Sequence, residues 1–299
     1  MAITIATYNV KDLFDSVNES TETHLNRKLD TLAAVVSKVD ADVLALQEVG
    51  SEAVLDRLRE RLPGMYDFRI VGTADARGIR CALLARLPVR GHQVHTAAQL
   101  DFPRFVETDP LPFGARIPLR RGVVHAEIDA GALGVVHALV LHFKSARPVP
   151  FRRADGMAVA PVTAREHVEG ELRTLVWRAS EALFVRGLVD DLAAKNPGHH
   201  LLVTGDYNDV PASTTLRIVS GAEPNALHSA ADALEGDRFS VLHRGTRLEI
   251  DHMLLSTGLR ARVTRARYVN DGLRDHSTLQ DEDFPTPDSD HAPLVVRFE

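Results

Sequence analysis

The stretch that most constrains the fold is residues 201–211, an apolar run that ends abruptly in polar side chains. Its first residues are apolar and β-branched, which predicts a buried strand. Gly205 interrupts the run, and the short polar side chains of Asp206 and Asn208 follow before Pro211 turns the chain away. A buried strand that opens onto a carboxylate and an amide can hold reactive groups rigidly at the edge of a sheet. On its own, this pattern is as typical of an ordinary strand end as of a functional site.

The same chemistry recurs where other apolar segments end. One segment, 3–10, ends near Asn9, and another, 42–48, ends on Glu48. A buried strand has little reason to finish on a carboxylate unless that group faces water, a cation or a ligand. His142 closes a third segment, although a lone histidine at a strand end is more often structural than catalytic. The recurrence of polar ends predicts a site at one edge of a sheet, while each residue alone leaves the structural interpretation open.

Hydrophobic periodicity predicts alternating strands and helices along the whole chain. The predicted strands cover 3–10, 42–48, 80–85, 123–129, 135–141, 201–205, 248–255 and 294–298. The predicted helices cover 25–39, 52–62, 164–195 and 214–219. An elaborated loop or hairpin is expected over 99–122, and loops over 146–164 and 269–289. Because the polar strand ends are spread from Asn9 to His291 with no linker between them, we expect a single domain over 1–299.

The longest predicted helix, 164–195, has an amphipathic pattern. Most of its apolar positions recur at intervals of three or four residues, the spacing that places side chains on one face of a helix. These positions are Val168, Leu172, Leu175, Val176, Ala179, Leu183, Leu188 and Leu192.

Composition excludes several classes of protein. The single cysteine, Cys81, rules out an intrachain disulfide framework and a cysteine-based metal site. No segment approaches the ~20 apolar residues of a membrane span, and the chain starts in a strand-like segment without the pattern of a signal peptide. We therefore expect a cytoplasmic protein without a transmembrane segment, or a secreted one if an export signal was removed. The net charge of −6 gives no overall positive field for binding nucleic acid.

Six short motifs span nearly the whole chain. They are Thr7-Tyr8-Asn9, Leu46-Gln47-Glu48, Leu141-His142-Phe143-Lys144-Ser145, Gly205-Asp206-Tyr207-Asn208, Ile250-Asp251-His252 and Ser289-Asp290-His291-Ala292-Pro293. In this order they resemble the endonuclease/exonuclease/phosphatase superfamily, the fold of pancreatic deoxyribonuclease and the abasic-site endonucleases. Residues 177–182 and 208–211 also resemble a bacterial nuclease-like branch of it. The resemblance implies an α/β fold, a four-layer α/β/β/α sandwich of two packed β-sheets with outer helices.

The resemblance also implies a metal site and a group that activates water. Glu48 would be the principal ligand of a divalent cation, with Asp290 and Asn9 nearby. Ligands that are all oxygen suit Mg²⁺ or Mn²⁺. Asp206 would orient and deprotonate the attacking water, and Asn208 would hold water or phosphate.

The remaining motif residues are implied to act on the phosphoryl group. Asp251 would bind one nitrogen of His291 and fix its tautomer, so that the other nitrogen faces a phosphoryl oxygen. His142 would bind a second phosphoryl oxygen or protonate the leaving group. Lys144 and Arg121 would bind substrate and add positive charge where the transition state gathers negative charge. The implied mechanism has no covalent intermediate.

The chain departs from the family pattern around His142. Abasic-site endonucleases have a tyrosine there, so this chain is more similar to the deoxyribonuclease and sphingomyelinase pattern. Pancreatic-type enzymes brace this histidine with an upstream glutamate whose equivalent the sequence does not reveal. Arg80 lies in the strand where the brace would be expected. His252 is specific to this chain, and we interpret it as structural.

Two other functions are compatible with parts of the sequence. Residues 205–209 fit the Gly-Asp-x-x-Asp signature of calcineurin-like phosphoesterases, but the upstream and downstream motifs of that family are missing from the sequence. A non-catalytic phosphate-binding scaffold on the same fold would be expected to have lost its histidine or glutamate, and this chain keeps all six motifs. The resemblance therefore favours an enzyme.

The implied activity is that of a divalent-metal-dependent phosphodiesterase, and our hypothesis is a monomeric nuclease acting on nucleic acid. A phosphatase or phosphodiesterase acting on a small or lipid-derived phosphate ester is the alternative, because these substrates present the same reacting centre. The pI of about 6.2 disfavours tight DNA binding, although a group of arginines could form a local basic rim. These are Arg116, Arg120, Arg121, Arg147, Arg152 and Arg153. No aromatic-rich hairpin for membranes is evident, which disfavours a sphingomyelinase.

Overall fold

Two six-stranded β-sheets, whose strands are numbered in chain order, pack face to face. The computed structural model describes residues 2–101, 117–280 and 283–299. The first sheet contains β1 (Ile3–Leu13), β2 (Val43–Val49), β3 (Phe68–Val71), β4 (Arg80–Ala85), β15 (Val263–Tyr268) and β16 (Leu294–Phe298). Its strand order is β15-β16-β1-β2-β4-β3.

The second sheet contains β5 (Val89–His95), β6 (Val123–Asp129), β7 (Val135–His142), β10 (His200–Asp206), β11 (Leu227–Ser229) and β14 (Asp251–Ser256). Its strand order is β11-β14-β10-β7-β6-β5. Two short hairpins pair β8 (Phe151–Arg152) with β9 (Ala158–Val159) and β12 (Val241–His243) with β13 (Thr246–Leu248).

The α-helices are α1 (Glu19–Val39), α2 (Glu52–Arg59), α3 (Ala164–Lys195), α4 (Thr214–Ser220) and α5 (Thr257–Arg260). The first four begin after polar residues whose side chains accept a hydrogen bond from the first turn, namely Asn18, Ser51, Thr163 and Ser213. Short 3₁₀ helices cover Gly131–Leu133, Ala230–Ala233 and His276–Thr278. Within the described ranges, no helix is both long and apolar enough to cross a membrane.

An apolar core fills the space between the two sheets. Ile5 and Leu83 of the first sheet and Val140 and Leu202 of the second lie in this core. The outer face of the first sheet packs under α1 and α2, and the outer face of the second packs under α3 and α4. The layers are therefore α/β/β/α, which confirms the fold that the sequence resemblance implied.

The strand directions bring the polar strand ends to one edge. β1 runs parallel to β2, and β7 runs parallel to β10, so in each pair the carboxyl ends lie side by side. β14 and β16 run antiparallel to β10 and β1, so their first residues lie at that same edge. In the register of the second sheet, Asp206 lies opposite His142 on one side and Asp251 on the other.

The longest helix has the predicted bounds, but half of its eight predicted apolar positions are exposed. On α3, Val168, Leu172, Leu175 and Leu183 are exposed. The helix instead turns a mixed face towards the second sheet, because polar side chains on that face have hydrogen-bond partners in the loops beside the site. The buried positions are Gly170, Thr174, Arg178, Ser180, Glu181, Ala182, Val185, Arg186 and Val189.

Several loop and strand predictions are corrected as well. The predicted loop 146–164 contains the β8–β9 hairpin, and the predicted strand 248–255 is two strands, because 249–250 separates β13 from β14. The short strand β3 and the polar edge strand β5 were not predicted, since neither has a buried apolar run. Much of the predicted loop 99–122, including Arg116, lies outside the described residues.

Candidate active site

Gly205 lets β10 carry Asp206 to the edge of the sheet. Its φ is +141°, and a Cβ there would lie 2.0 Å from the carbonyl oxygen of Leu141, so no larger residue fits. Glu48 and Asn208 also have positive φ values, 66° and 50°. Such backbone is uncommon outside glycine, and it persists where the surrounding structure fixes it, often at functional sites.

Asp206 lies at the centre of the cluster that the strand ends form. Its Oδ2 accepts a hydrogen bond from Asn9 Nδ2 at 3.0 Å and lies 3.4 Å from His142 Nε2. Its Oδ1 accepts a hydrogen bond from the backbone N–H of Asn208 at 2.8 Å. Burial, together with the negative charge of Asp251, raises the pKa of Asp206 to about 7. A carboxylate with this pKa can accept a proton near neutral pH, which is what a general base requires.

Asp251 and His291 form a hydrogen-bonded pair beside Asp206. His291 Nδ1 lies 2.7 Å from Asp251 Oδ2, and His291 Nε2 lies 4.0 Å both from Asp206 Oδ2 and from Asp290 Oδ1. Burial disfavours the imidazolium, but the charge of Asp251 and the hydrogen bond to it outweigh burial and raise the pKa of His291 to about 10. The ring is therefore a cation at neutral pH, with Nε2 directed towards the carboxylates.

His142 has the opposite electrostatic character. Burial, followed by the positive charges of Arg121 and His291, lowers the pKa of His142 well below its usual value. The ring is therefore neutral at pH 7. Its Nε2 lies 3.4 Å from Asp206 Oδ2 and 4.0 Å from Glu48 Oε1.

The structure supplies no brace for His142 from the residues it describes. His142 Nδ1 is buried there without a hydrogen-bond partner. Arg80 donates instead to the backbone carbonyls of Gly50 and Gly78. His252 also points elsewhere, since its Nε2 lies 2.9 Å from the carbonyl oxygen of Asp209.

The three residues that the resemblance assigns to a metal lie together next to this cluster. Asn9 Nδ2 donates to Glu48 Oε1 at 3.3 Å, and Asn9 Oδ1 accepts from the backbone N–H of Lys11 at 2.9 Å. Lys11 Nζ forms an ion pair with Asp290. The side-chain oxygens of Glu48, Asp290 and Asn9 suit a hard divalent cation, and Lys11 balances only part of the negative charge. The residues present therefore fit a divalent metal ion.

A second possible metal site overlaps the first cluster. One potential ligand atom from each of Asp206, Asp251 and His291 lies within 4.8 Å of the other two. In this trio, however, His291 Nδ1 is already bonded to Asp251. The other nitrogen, Nε2, carries a proton at neutral pH because the pKa of His291 is raised to about 10, so a metal bound there would have to displace that proton.

The two predicted substrate-binding cations are largely engaged by the protein. Arg121 is buried, donates to the backbone carbonyls of His142 and Phe143 at 3.1 and 3.0 Å, and pairs with Asp75 at 3.0 Å. Lys144 Nζ donates to three oxygens of Ser145 and Arg147. Burial, followed by the charges of neighbouring arginines, lowers the pKa of Lys144 to about 8.

Three further residues organise this region, and reasoning from the sequence did not identify them as part of the site. Glu181 is buried on α3 and accepts a hydrogen bond from the backbone N–H of Lys144 at 2.7 Å. It lies in the 177–182 segment, where a carboxylate beside apolar positions was the available signal. Asp75 pairs with Arg121, and nothing in its loop sequence distinguishes it. Lys11 follows Asn9 by two residues, and this closeness to the motif was the only sign in the sequence that it belongs to the site.

The cluster forms the floor of an open cleft of about 770 Å³. One wall contains Trp177, whose Nε1 donates to the carbonyl oxygen of Pro118 at 3.2 Å. The guanidinium of Arg120 lies 5.5 Å from the centre of the Trp177 ring. Other residues of the rim are Lys11, Arg77, Leu119, Lys144, Arg147, Pro148, Val149, Pro150 and Arg152. The cleft thus combines a charged floor with an aromatic and cationic rim.

Comparison with known proteins agrees with the fold and with the family that the sequence resembles. A sequence model described as the Endonuclease/Exonuclease/phosphatase family matches residues 6–291. The sequence matches no curated protein at a significant level.

Solved structures from several organisms share the fold. A truncated TDP2 of Caenorhabditis elegans has a TM-score of 0.58 and 18% identity, covering 99% of this chain and 97% of that one. An endonuclease/exonuclease/phosphatase from Bacteroides vulgatus has a TM-score of 0.62 and 17% identity, covering 100% and 99%. A mannosyl-6-phosphatase of Bacteroides thetaiotaomicron has a TM-score of 0.61 and 17% identity, covering 98% of both chains.

Proposed function

Because the chain belongs to the endonuclease/exonuclease/phosphatase family, whose members are divalent-metal-dependent phosphoric ester hydrolases, we propose that it is a metal-dependent phosphodiesterase that cleaves nucleic acid. The observation that carries this proposal is the position of Asp206. Its carboxylate lies between Asn9 and His142, and its pKa is raised to about 7. A cationic histidine, His291, lies 4.0 Å away.

Asp206 is the group we assign to activate water. Its Oδ1 is held by the N–H of Asn208 and its Oδ2 by Asn9, so the carboxylate is fixed before substrate binds. A base held in one orientation, with a pKa near the working pH, is efficient at taking a proton from water in line with the scissile bond. Asn208 also donates from Nδ2 to the carbonyl of Phe143 at 3.2 Å, which steadies the loop that presents it.

His291 and His142 have different roles in this proposal. His291, held protonated by Asp251, places a positive charge where negative charge develops on the phosphoryl oxygens. His142 is neutral at pH 7, so it serves better as a hydrogen-bond donor from Nε2 than as a proton source for the leaving group. Of the two roles that the resemblance implies for His142, we therefore favour binding of a phosphoryl oxygen.

Glu48, Asp290 and Asn9 are the residues we assign to hold the metal. When bound, Mg²⁺ or Mn²⁺ would neutralise charge on the phosphate and help to orient the attacking water. We prefer this oxygen set to the trio of Asp206, Asp251 and His291, because the pKa of His291 is raised to about 10, so both ring nitrogens carry a proton at neutral pH and neither is free to bind a metal. Lys11 must then give up Asp290, and its ammonium would become free to contact phosphate at the rim of the cleft.

The rim favours nucleic acid over a phosphosugar. Trp177, Pro118 and Leu119 offer an aromatic and apolar wall, and Arg120 and Arg147 lie beside them. Bases stack on aromatic side chains, and arginines contact the adjoining phosphates. A sugar needs side chains that hydrogen-bond hydroxyl groups. Two described acidic residues of the rim are already paired with arginines, because Asp75 forms an ion pair with Arg121 and Asp12 accepts a hydrogen bond from Arg77 at 2.8 Å. These two carboxylates are therefore poorly placed to bind sugar hydroxyl groups.

A parallel assay tests the proposal. Purified protein is incubated with single-stranded DNA, RNA, plasmid DNA, bis-p-nitrophenyl phosphate and a sugar 6-phosphate, each with Mg²⁺, Mn²⁺ or excess EDTA. We expect metal-dependent cleavage of nucleic acid and of the nitrophenyl diester. Asp206→Asn should abolish it, and Asp209→Asn should retain it, since Asp209 pairs with Arg178 outside the cluster. Cleavage of the sugar phosphate alone would replace the nuclease by a phosphatase, and no hydrolysis of any ester would support a non-catalytic scaffold.

A further inference from the structure

Hydrogen bonds hold His142 in the cleft through its backbone rather than through its ring. The ring is buried, and its Nδ1 has no hydrogen-bond partner among the described residues. Its Nε2 faces the carboxylates of the site, 3.4 Å from Asp206 Oδ2 and 4.0 Å from Glu48 Oε1. Because no described side chain bonds the other ring nitrogen, the position of the ring depends on where the backbone of 142–144 lies.

Side chains from three parts of the chain bind this backbone segment. Arg121 Nη1 donates hydrogen bonds to the carbonyls of His142 and Phe143 at 3.1 and 3.0 Å. Asn208 Nδ2 donates to the carbonyl of Phe143 at 3.2 Å. Arg121 and Asn208 both lie in loops that line the cleft. The third side chain, Glu181, belongs to the long helix α3, and a helix is a more rigid support for a site than a loop is.

Glu181 connects this segment to a second loop of the cleft. Its Oε2 accepts a hydrogen bond from the N–H of Lys144 at 2.7 Å, and its Oε1 accepts a longer one from the N–H of Arg120 at 3.5 Å. One turn earlier on α3, Trp177 Nε1 donates to the carbonyl of Pro118 at 3.2 Å. The loop that carries Arg120 is thus attached to the helix at two points, and one carboxylate serves both loops.

The two backbone N–H groups explain why a carboxylate occupies this buried position. Glu181 is 1% exposed, and burial raises its pKa to about 7, although the hydrogen bond from Lys144 and the charge of Arg121 act in the opposite direction. Burying a carboxylate costs free energy that an apolar side chain would avoid. Packing of α3 therefore does not account for the residue. Two N–H groups in need of acceptors do, because an ionised carboxylate accepts through both oxygens.

We infer that Glu181 is a positioning residue for His142, because it fixes the segment 142–144 to α3 and to the loop of Arg120. Glu181 binds backbone N–H groups of the two loops, so its effect on the reaction passes through the residues that it holds. The consequence for catalysis rests on the proposed function, in which His142 binds a phosphoryl oxygen. The consequence for the position of the ring does not.

Steady-state kinetics with bis-p-nitrophenyl phosphate test this role. Glu181→Gln keeps the shape but leaves one accepting oxygen for two N–H groups. A misplacement of about 1 Å can cost roughly 10²-fold in rate, so we expect kcat to fall by about 10- to 10²-fold. Metal affinity, measured by isothermal titration, should not change. Glu181→Asp keeps the charge but is one methylene shorter, so it should lose activity as well, and it carries the test if Glu181→Gln does not fold. Glu171→Gln removes a charge at an exposed position of the same helix, and this matched control should behave like wild type.

A double variant shows whether the effect passes through His142. If it does, adding Glu181→Gln to His142→Ala should change kcat by less than about twofold, because the two changes remove the same interaction. The nitrophenyl diester suits this comparison, since it lacks the bases and further phosphates that the rim of the cleft would bind. Losses that multiply would contradict a role through His142.

Nuclear magnetic resonance measures the position of the ring without any substrate. In protein made with isotope-labelled histidine, the ring resonance of His142 is identified by its absence from His142→Ala. Glu181→Gln should shift this resonance and leave those of His125 and His137, which lie 3.0 Å from each other between ring nitrogens. Glu171→Gln should shift none of them.

The two kinds of measurement separate this inference from the proposed function. If the wild type hydrolysed no ester, a shifted His142 resonance would still support the positioning role while the proposed function failed. An unmoved resonance in the folded Glu181 variants would overturn the inference. So would a kcat equal to that of wild type in both Glu181→Gln and Glu181→Asp, even with a lower melting temperature, because that result would make Glu181 merely structural.

Discussion

His291 Nδ1 lies 2.7 Å from Asp251 Oδ2, although the two residues are 40 positions apart in the chain. His291 stands at the entry to β16 of the first sheet, and Asp251 begins β14 of the second. The hydrogen bond therefore joins the two sheets at the edge where the polar strand ends meet. It also holds a cationic imidazole next to Asp206, whose carboxylate lies 4.0 Å from His291 Nε2.

The pH profile should depend on this pair. The pKa of His291 is raised to about 10, so the imidazolium persists above neutral pH and is lost as the pH rises through that value. Asp251→Asn keeps the shape but removes the charge, so the alkaline limb of kcat/KM should move to lower pH. Asp251→Asn/His291→Ala should be little worse than His291→Ala alone, because coupled residues are not additive. An unmoved alkaline limb, or strictly additive losses, would show that the two residues act independently.

Asp206→Asn should lower kcat by about 10²–10⁴-fold, the usual contribution of a general base. Metal affinity, measured by isothermal titration, should change little, since Glu48, Asp290 and Asn9 are assigned to the metal. In the wild type, kcat/KM should fall as the pH drops below about 7, where Asp206 becomes protonated. A variant that kept more than about a tenth of wild-type kcat would move Asp206 to a structural role.

Metal removal should abolish activity, and Glu48→Gln should weaken the response to metal. Excess EDTA should stop hydrolysis, and added Mg²⁺ or Mn²⁺ should restore it. Glu48→Gln should bind metal at least tenfold more weakly by titration and lower the rate steeply, with an unchanged circular dichroism spectrum. Glu52→Gln is the control, because Glu52 is exposed at the start of α2. Full activity in EDTA would contradict the proposed mechanism.

Trp177 provides a direct readout of substrate binding, because it is the only tryptophan of the chain. In the inactive Asp206→Asn variant, a short single-stranded oligonucleotide should quench its fluorescence, whereas inorganic phosphate should not. Base stacking contributes about 1–3 kcal/mol, so Trp177→Ala should raise KM for the oligonucleotide roughly tenfold with little change in kcat. A diester of the same length without bases should lose nothing, and equal losses on both substrates would argue against stacking.

A row of histidines should make stability sensitive to acid. His125 Nε2 lies 3.0 Å from His137 Nδ1, and His95 and His199 extend the row on either side. Burial, followed by the charge of its neighbours, lowers the pKa of His125 to about 4. In the unfolded chain His125 takes up a proton at about pH 6.5, whereas in the folded protein it does so only near pH 4. The free energy of unfolding therefore keeps its full value above about pH 6.5 and decreases as the pH falls towards 4.

The matching experiment compares wild type with His125→Asn by urea denaturation at pH 7.5 and pH 5. The stability lost between these pH values should be about 2 kcal/mol smaller in His125→Asn than in wild type, because a group with pKa values of 4 and 6.5 contributes about that much at pH 5. Both proteins contain His291, so its opposing contribution to the pH dependence cancels when the two losses of stability are subtracted. Identical pH dependence in both proteins would show that His125 titrates normally.

The sequence determined most of the longer elements and the edge at which they meet. Apolar runs predicted the buried strands β1, β2, β4, β7 and β10, because alternation and length are local properties. Polar residues at the strand ends, among them Asn9, Glu48 and Asp206, predicted a common site, since the carboxyl ends of neighbouring parallel strands share an edge. The ordered motifs then gave the family and the four-layer fold.

Only the tertiary structure decided which surfaces are covered and how the charges behave. Most predicted apolar positions of α3 have the spacing of a core face, but the fold buries the face with Thr174 and Glu181, whose hydrogen-bond partners lie more than 25 residues away. The pKa of Asp206 near 7 and that of His291 near 10 arise from burial and from charges on other strands. A local pattern fixes a residue's backbone and the side of its helix or strand. Burial, charge and hydrogen-bond partners depend on distant residues, and these become neighbours only when the sheets pack together.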